Sequence, residues 1–437
     1  MERKVYRNKE EFDNENSYFD NLLPYSEDVS VLKTPLEIMG RKVHNRLVCQ
    51  AMEGCDGTRT GEPDELTIRR YLRFAEGGAG IIWFEATACM EKGRANPRQL
   101  WIREDNVDAF KKLNELIRET AIKANGYAPL IIMQDTHSGR YSKPEGVPAP
   151  IIAYNNPIFE RDNPIDKSRI ITDEELDIVR DQLIKAASLA EKAGFDGVDI
   201  KCCHRYLNSE LLSAFTRENS RYGGSFENRT RLFRESVQGA IEVCGKDFIV
   251  TSRMNVYDGF AHPYGFGMKN DGSLEVDLTE PKQLIKILNN MGVKLLNITM
   301  GNPYVNPHVN RPFSKGGYVA EEHPLQGVAR ILNGIKELQV EVPDMPLISS
   351  GLSYLGAVSP NVAAAYIKNN DFAFAGFGRM IFANPDFAKQ ILTEGKIDIK
   401  KQCIACSKCT ELMRAGSTPG CVIRDALYTK LYKEKFM

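Results

Sequence analysis

The chain has 437 residues, and 57 lysine and arginine residues against 58 aspartate and glutamate residues give it a formal net charge of −1, so we expect no binding to nucleic acid or to an acidic membrane surface. Hydrophobic residues make up 42% and charged residues 26%, a globular composition that excludes a disordered chain. There is no apolar run of about 18 residues, and the charged start, MERKVYRNKE, lacks the apolar core of a secretory signal.

Short apolar segments rich in valine and isoleucine alternate with longer segments of helical periodicity. Eight of them are predicted as strands buried on both faces, because their apolar runs are nearly continuous. In chain order these predicted strands are Arg46–Ala51, Gly80–Glu85, Pro129–Gln134, Gly197–Lys201, Phe248–Met254, Leu295–Thr299, Pro346–Ser350 and Phe372–Gly376.

Helical patterns follow most of these strands. The clearest is Thr172–Ala193, where Thr172 and Glu175 have the spacing of a capping box. Two others are Phe226–Cys244 and Pro281–Met291. The alternation predicts an α/β fold, a (β/α)8 TIM barrel, with an open doubly wound sheet as the alternative. No Gly-x-Gly-x-x-Gly follows the first strand, which disfavours a dinucleotide-binding version of that alternative.

We predict three regions: a polar N-terminal leader at 1–30, the barrel at 31–395, and a cysteine-bearing C-terminal extension at 396–437. Long loops after strands lie at the C-terminal face of a barrel, where barrel enzymes place their active sites. The long segments of this kind are Lys143–Ile171, Tyr257–Leu278 and Gly301–Val319.

Polar side chains stand where the third and fourth predicted strands end. Gln134 could make paired hydrogen bonds to a planar heterocycle such as a flavin pyrimidine, although a polar loop capped by glycine is the alternative. Lys201, His204 and Tyr206 are three proton-bearing groups that could polarise a carbonyl and deliver a proton. The alternative is that His204 is a partly buried structural histidine and that Tyr206 only packs.

The last barrel strands offer groups for the rest of a flavin. Arg253, at the end of the fifth strand, could stabilise an anionic reduced ring, or could instead be a salt-bridged arginine at the barrel mouth. Ser350–Gly351 and Gly378–Arg379 follow the seventh and eighth strands, the two loops in which barrels often bind phosphate. Arg379 could add a bidentate contact to that phosphate.

Four of the ten cysteines are clustered near the C-terminus, at Cys403, Cys406, Cys409 and Cys421. Thiolates bind iron–sulfur clusters or zinc. Zinc sites usually pair two separate Cys-x2-Cys units, so three cysteines at consecutive x2 spacings with a distant fourth favour a [4Fe–4S] cluster. Structural zinc and unligated thiols are the alternatives.

Several longer segments carry a resemblance to a known family. They are Asn45–Met52, Gly77–Ile82 with Glu85–Ala86, Gln134 with His137–Ser142, Phe195–Asp199, Arg221–Arg229, and Gly378–Arg379 with Ala383–Asp386. Together they resemble the old yellow enzyme family of FMN barrels, in the branch that contains bacterial 2,4-dienoyl-CoA reductase and trimethylamine dehydrogenase. The resemblance covers Leu32 to Cys421, and the cysteine spacing is similar to that of this branch.

The resemblance implies noncovalent FMN with a [4Fe–4S] cluster beside it. Ala51, Met52 and Ala86 would lie near the flavin ring. Gln134 would lie at its pyrimidine edge and Arg253 near N1 and C2=O. The phosphate would be held by Ser350, Gly351, Gly378 and Arg379, and the cluster by the four clustered cysteines.

The chain departs from the family at three places. Lysine stands at position 201 where the family commonly has histidine, which would suit a carboxylate or thioester substrate better than a simple enone. No histidine after the sixth strand, in Thr299–Tyr304, matches the proton-assisting one of the dienoyl reductases, so Tyr206 becomes the expected proton donor. Only 16 residues follow Cys421, so we expect no fused flavin- and nucleotide-binding half.

The resemblance implies reduction of an activated C=C bond in an enoate, enone or enoyl thioester. Hydride would come from FMN N5, the proton from Tyr206, and Lys201 and His204 would hold the substrate oxygen. An external donor, either NAD(P)H, ferredoxin or a flavoprotein, would supply electrons. The alternatives are an amine dehydrogenase or demethylase that passes electrons out through the cluster, and a noncatalytic electron-transfer subunit. We expect an anaerobic cytoplasmic protein without membrane or nucleic-acid partners; a homo-oligomer is compatible with the sequence.

Overall fold

Eight parallel strands form a nearly closed barrel in residues 4–437, the part of the chain that the computed structural model describes. A short antiparallel hairpin, β1 (Leu36–Ile38) and β2 (Arg41–Val43), precedes it. The barrel strands are β3 (Leu47–Cys49), β4 (Ile81–Ala88), β5 (Leu130–Thr136), β6 (Gly197–Ile200), β7 (Ile249–Asn255), β8 (Leu296–Thr299), β9 (Leu347–Ile348) and β10 (Ala375–Phe377).

The pairing order of the strands closes the sheet on itself. It runs β10, β3, β4, β5, β6, β7, β8, β9, and a parallel bridge between Ile348 and Phe374 joins the two ends. The predicted TIM barrel is therefore confirmed, and the open-sheet alternative is wrong. All eight predicted strands overlap an observed one, but β4, β5, β7 and β10 run further at their carboxyl ends than predicted.

The helices cover the outside of the barrel. Those of eight or more residues are Lys9–Tyr18, Glu65–Glu76, Val107–Asn125, Asp173–Lys192, Arg231–Val243, Thr279–Asn290, Pro324–Glu341, Ser359–Lys368, Phe387–Glu394 and Ala426–Phe436. The shorter ones are Pro157–Glu160, Leu207–Leu211, Phe226–Arg229, Pro307–Asn310, Arg379–Ala383 and Lys408–Arg414. No helix in residues 4–437 is long and apolar enough to cross a membrane.

Two of the predicted helices show how far local sequence determines their bounds. The capping box of Thr172 and Glu175 is present, with both reciprocal hydrogen bonds formed. The predicted helix Phe226–Cys244 is interrupted at Thr230, which lies between two separate helices. The Thr230 hydroxyl donates to the Phe226 carbonyl at 2.8 Å, and such back-bonding commonly bends a helix.

The barrel interior consists of an apolar layer and, next to it, one hydrogen-bonded pair of polar side chains. Val48, Ile132 and Ile348 belong to the buried interior cluster. Next to it, the side-chain amides of Gln50 and Asn297 hydrogen-bond to each other reciprocally, at 3.0 and 2.7 Å. This buried pair joins β8 to the segment after β3, and Gln50 also faces the cavity described below.

The N-terminal leader and the C-terminal extension both pack on the barrel. Tyr6 contacts the ring of Tyr354 edge-to-face at 6.0 Å, and Glu15 lies 3.2 Å from His323 Nε2. In the extension, Asp425 forms ion pairs with two arginines of the Glu65–Glu76 helix, and Arg414 donates to the Tyr304 carbonyl at 3.2 Å. The domain bounds at residues 30 and 395 remain predictions.

Candidate functional site

One cavity of about 1070 Å³ opens at the carboxyl ends of the barrel strands. It is lined by every residue predicted to bind the cofactor or to act in catalysis: Ala51, Met52, Ala86, Gln134, Lys201, His204, Tyr206, Arg253, Ser350, Gly351, Gly378 and Arg379. The structure thus brings together side chains from seven of the eight strand ends, as the C-terminal face of a barrel does. Their individual roles remain predictions.

Asp199 organises one wall of this cavity from beneath. Its carboxylate accepts hydrogen bonds from Gln134 Nε2 at 2.7 Å, from Trp83 Nε1 at 2.6 Å and from the Arg253 backbone N–H at 2.6 Å. Because an ionised carboxylate only accepts, it fixes the Gln134 amide with Nε2 toward Asp199 and leaves Oε1 for another partner. Asp199 itself was not predicted as a site residue, although it lies one residue before the end of β6.

A left-handed turn presents the residues after β6. His204 and Arg205 have φ values of 63° and 56°, which are uncommon for residues with a side chain. The Arg205 guanidinium, fully buried, secures the turn through Asp258 at 2.9 Å and the Tyr154 hydroxyl at 3.1 Å. Because Arg205 is fixed in this way, its two sequence neighbours, His204 and Tyr206, are held at the cavity, which both of them line.

Lys201 is a buried cation without a carboxylate partner. Its Nζ lies 3.6 Å from the centroid of the Tyr206 ring, and no ion pair to it forms within residues 4–437. Burial lowers the pKa of Lys201, partly opposed by Glu53 and Asp199. Burial and the positive charges of Arg253 and Lys201 hold the pKa of His204 well below its ordinary value, so this imidazole is neutral at pH 7.

Three tyrosines form a continuous aromatic wall. The hydroxyls of Tyr206 and Tyr304 are 2.8 Å apart, and the Tyr304 ring stacks on Tyr141 with centroids 3.9 Å apart. Asn302 holds this loop by donating to the Tyr141 hydroxyl at 2.8 Å and accepting from the Tyr304 N–H at 2.7 Å. Burial raises the pKa of all three hydroxyls, to about 12 for Tyr141, so they are protonated at neutral pH.

Glu53 is the carboxylate that faces the tyrosines. It accepts a hydrogen bond from Asn96 Nδ2 at 3.0 Å and interacts with Tyr206 and Lys201, while burial raises its pKa. Neither Glu53 nor Tyr304 was predicted. Both follow the end of a barrel strand, and that position was the only signal for them in the sequence.

The opposite end of the cavity is built from the loops after β9 and β10. Gly351 has φ 87°, a left-handed conformation that favours glycine, and Ser350 Oγ donates to the Ile298 carbonyl at 2.9 Å. Close by, a Cβ on Gly376 would lie 2.2 Å from Gln50 Nε2, so only glycine fits there. Ser350, Gly351, Gly376 and Gly378 all line the cavity, so the backbone of these two loops lies close to its surface.

Two arginines stand at this end with free donors. Arg379 donates from Nη2 to the Pro312 carbonyl at 2.6 Å, while its buried Nη1 has no hydrogen-bond partner among residues 4–437. Arg311, which was not predicted, also lines the cavity and has an unpartnered buried Nη1. Burial, with the nearby Arg379 charge, lowers the pKa of Arg311 to about 10, so it stays cationic at pH 7.

The residues present fit FMN. The unpartnered donors of Arg379 and Arg311 suit a phosphate, and the unpartnered Nε of Arg253 suits the pyrimidine edge of a ring that gains negative charge on reduction. An anionic ligand bound in the cavity would supply acceptors for these buried donors, which are costly to leave unpaired. Glu53 is the one carboxylate among the lining residues, so the cavity as a whole favours an anion.

A second cavity, of about 370 Å³, adjoins the end of the first cavity at which Arg379 lies. All four clustered cysteines line it: Cys403, Cys406, Cys409 and Cys421. Arg379, Phe382 and Cys409 line both cavities, so the two share a wall. The Ala405 N–H donates to Cys403 Sγ at 3.4 Å, a contact of the kind that tunes iron–sulfur sites.

The cysteines are nevertheless not arranged as a formed metal site. As placed in residues 4–437, no three cysteine, histidine or carboxylate side chains lie close enough together to hold a metal ion. All ten thiols are free of disulfides, and burial raises the pKa of Cys403 to about 12 and of Cys421 to about 11. The donor set fits a thiolate-bound cluster in chemistry, and the cluster remains a prediction.

The NADH:flavin oxidoreductase / NADH oxidase family matches residues 32–396. The NADH oxidase of Thermoanaerobacter brockii is 27% identical over 379 residues, which are 84% of this chain and 51% of the relative. The cinnamate reductase of Clostridium sporogenes is 26% identical over 406 residues, 91% and 58% of the two chains. This chain thus spans little more than half of these two relatives.

Solved structures share the fold at low sequence identity. A 2-naphthoyl-CoA reductase with bound 2-naphthoyl-CoA matches with a TM-score of 0.74 and 20% identity, covering 93% of this chain and 58% of that one. Histamine dehydrogenase from Rhizobium sp. 4-9 matches with a TM-score of 0.69 and 21% identity, and the match covers 92% of this chain and 53% of that one. The old yellow enzyme homologue from Zymomonas mobilis matches with a TM-score of 0.62 and 21% identity, and the match covers 84% of this chain and 94% of that one.

Proposed function

The chain belongs to the NADH:flavin oxidoreductase / NADH oxidase family and is a flavin-dependent oxidoreductase, and we propose that it uses FMN and a [4Fe–4S] cluster to reduce an activated C=C bond. One observation carries this proposal. Lys201, neutral His204 and protonated Tyr206 share a cavity with the flavin-suited groups Gln134 and Arg253. Such a set can bind an anionic or carbonyl-bearing substrate and protonate it where a flavin is held.

FMN, when bound, supplies hydride chemistry. The phosphate would be held by Arg379, Arg311 and the backbone around Gly351 and Gly378. Gln134, oriented by Asp199, would bind the pyrimidine edge. Arg253 would lie beside the N1 and C2=O region, and Ala51, Met52 and Ala86 would pack near the ring.

Lys201 and His204 would grip the substrate oxygen. Negative charge develops on that oxygen as the β-carbon is reduced, and preorganised donors stabilise it most effectively away from bulk water. Lys201 brings a positive charge, and no carboxylate in the described part of the chain forms an ion pair with it. We therefore favour substrates with a carboxylate or thioester next to the double bond. The names of cinnamate reductase and 2-naphthoyl-CoA reductase among the similar proteins support such substrates.

Tyr206 would protonate the α-carbon. Burial holds its pKa well above the ordinary value, so the hydroxyl still carries its proton at any pH near neutrality. After transfer, the phenolate could be stabilised by the Tyr304 hydroxyl at 2.8 Å and by the Lys201 charge. Glu53, whose own pKa is raised by burial, could return a proton to Tyr206.

The four clustered cysteines would hold the cluster, which supplies single-electron transfer when bound. Its cavity shares Arg379, Phe382 and Cys409 with the cavity proposed for the flavin, so the two cofactors would lie side by side. The family description and the NADH oxidase relative support a nicotinamide as one electron donor.

Amine oxidation is the second candidate, because one structural neighbour is histamine dehydrogenase and because three tyrosines and Glu53 could receive an alkylammonium group. Lys201 argues against it. Its own ammonium already lies over the Tyr206 ring at 3.6 Å and would repel a cationic substrate. A noncatalytic electron-transfer subunit remains the third alternative, disfavoured by the retained His204 and Tyr206.

The proposal is tested with anaerobically purified protein. We expect a yellow-brown preparation that contains FMN and iron and that bleaches with dithionite. Enoates and enoyl thioesters should reoxidise the bleached protein, whereas amines should not reduce the oxidised form. A folded preparation that binds no FMN would contradict the proposal.

A further inference from the structure

Charge is distributed unevenly along the chain. Residues 396–437 contain nine lysine and arginine residues and four aspartate and glutamate residues, an excess of five positive charges. The whole chain has a net charge of −1, so the preceding part carries a net charge of −6. The region that holds the clustered cysteines is therefore a basic surface on an otherwise acidic protein.

Exposed isoleucines lie within this basic region. Ile399, Ile404 and Ile423 are 48%, 37% and 40% exposed, which is unusual for such large apolar side chains gathered in one short region. Ile404 directly follows Cys403, and Ile423 is two residues after Cys421. Both line the cysteine cavity, together with Arg424.

The same residues continue into an open groove. Ile404 and Arg424 line it as well as the cysteine cavity, and the groove adds Ile399 and Lys400 before it reaches the Lys9–Tyr18 helix. Lys400 and Arg424 are exposed, and neither takes part in an ion pair within the described part of the chain. Glu11 and Glu15 also line the groove, but Glu11 is paired with Arg7 and Glu15 with His323. The groove thus combines apolar contact area with two cations, Lys400 and Arg424, that form no ion pair among residues 4–437, at the edge of the cysteine cavity.

We propose that this groove docks a small acidic one-electron carrier protein. Charge complementarity selects the partner: an acidic surface would meet Lys400 and Arg424, and Ile399 and Ile404, with Ile423 in the adjoining cysteine cavity, would supply apolar contacts. The inference rests on the proposed function, because a carrier docked here would lie against the cysteines expected to hold the cluster.

The electrons balance over two docking events. Each reduced carrier gives up one electron and leaves oxidised, so two carriers supply the two electrons that, with two protons, saturate one C=C bond. A nicotinamide gives two electrons as hydride to the flavin and needs no contact with this groove. The two kinds of donor can therefore be separated by substitutions in the groove.

The test uses the holoprotein and an acidic bacterial ferredoxin, with binding measured by titration calorimetry at low and at physiological ionic strength. The charge-reversal variant Lys400→Glu with Arg424→Glu should raise Kd at least tenfold, and salt should weaken wild-type binding. Ile404→Ser should also weaken binding, with little change in its salt dependence. The matched control is Lys246→Glu with Lys294→Glu, two exposed lysines that precede β7 and β8 at the opposite end of the barrel, and it should bind as wild type does.

The possible results distinguish failure of the docking inference from failure of the proposed reaction. Wild-type protein that binds no ferredoxin, or a groove variant that binds it unchanged, would overturn the docking inference even if dithionite-driven turnover is normal. Dissociation of a self-assembled oligomer in the groove variant, without ferredoxin binding, would assign the groove to a second copy of the chain. Conversely, ferredoxin binding by a protein that lacks dithionite-driven turnover would leave the groove assigned and contradict the proposed reaction.

Discussion

The hydroxyl oxygens of Tyr206 and Tyr304 lie 2.8 Å apart and join the loop after β6 to the loop after β8. This contact gives the Tyr206 hydroxyl a hydrogen-bonding partner at the oxygen that would become a phenolate after the proposed proton transfer. Segment Thr299–Tyr304 contains no histidine, and in the proposed mechanism the Tyr304 hydroxyl would support Tyr206 as the proton donor instead of replacing it.

Replacing Tyr206 with phenylalanine removes the proposed proton donor. General acids contribute about 10²–10⁴-fold to rate, so turnover with an enoate should fall by about that factor. FMN content and the rate of flavin reduction should be unchanged. Tyr304→Phe removes only the supporting hydroxyl and should cost about tenfold, close to the value of one hydrogen bond to a charged group. Stopped-flow reoxidation of the reduced protein measures both, and equal rates in wild type and Tyr206→Phe would remove Tyr206 from the role of proton donor.

Lys201→Gln should selectively weaken the binding of substrates that carry a carboxylate. The lost charge should raise KM for an enoate about tenfold or more, while a neutral enone should be less affected. In wild type, burial lowers the pKa of Lys201, so the ammonium is lost as pH rises through that lowered value. We therefore expect KM for the enoate to rise at alkaline pH below the range in which free lysine titrates. A pH profile that is the same in wild type and Lys201→Gln would assign the titration to another group.

Cys409→Ala should abolish the proposed cluster and leave the flavin site in place. Cys409 lines both cavities, but no predicted flavin contact is made through its sulfur. Iron content and the cluster's electron paramagnetic resonance signal after reduction should fall to background, while FMN remains bound. Cys244→Ala, at the half-buried end of the Arg231–Val243 helix, is the matched control and should keep its iron. Iron retained in Cys409→Ala would remove that cysteine from the ligand set.

Arg311→Ala and Arg379→Ala should each weaken the binding of FMN. A hydrogen bond between charged groups contributes about 1.5–3 kcal/mol, so we expect Kd for FMN to rise about ten- to hundredfold in each variant. Fluorescence titration of apoprotein with FMN measures this directly. Arg161→Ala, an exposed arginine in the loop after β5, should leave the affinity unchanged. If Arg311→Ala also binds as wild type does, the phosphate is held without it.

The buried ring of His137 should make the fold sensitive to acid. Burial lowers its pKa to about 4, and Nδ1 accepts a hydrogen bond from the Gly139 N–H at 3.1 Å, which requires the neutral ring. The unfolded chain therefore binds a proton that the folded chain does not between pH 6.5 and about 4, and stability falls as pH falls through this range. Urea unfolding at several pH values should show a loss of about 3 kcal/mol that is smaller in His137→Gln. The same loss in both proteins would exclude His137 as its cause.

The sequence was sufficient for the barrel and for most of the cavity because both follow from strand order. Apolar runs locate the strands, and parallel strands bring their carboxyl ends to one face, so residues as distant as Ala51 and Arg379 could be placed together. Glu53, Tyr304 and Arg311 could not be placed, since their positions depend on how long loops fold over the barrel. The left-handed turn at His204 is another case, because it is fixed by the buried contact of Arg205 with Asp258, residues far apart in sequence.

Single-turnover reoxidation tests the central claim most directly. Dithionite-reduced holoprotein, freed of excess reductant, is mixed anaerobically with an aryl enoate while flavin absorbance and saturated product are followed together. We predict that the flavin reoxidises at the rate at which the saturated acid appears, with one product formed per two electrons. A reduced flavin that stays bleached with enoates, enones and enoyl thioesters, in a protein whose oxidised form is reduced by amines, would contradict the account.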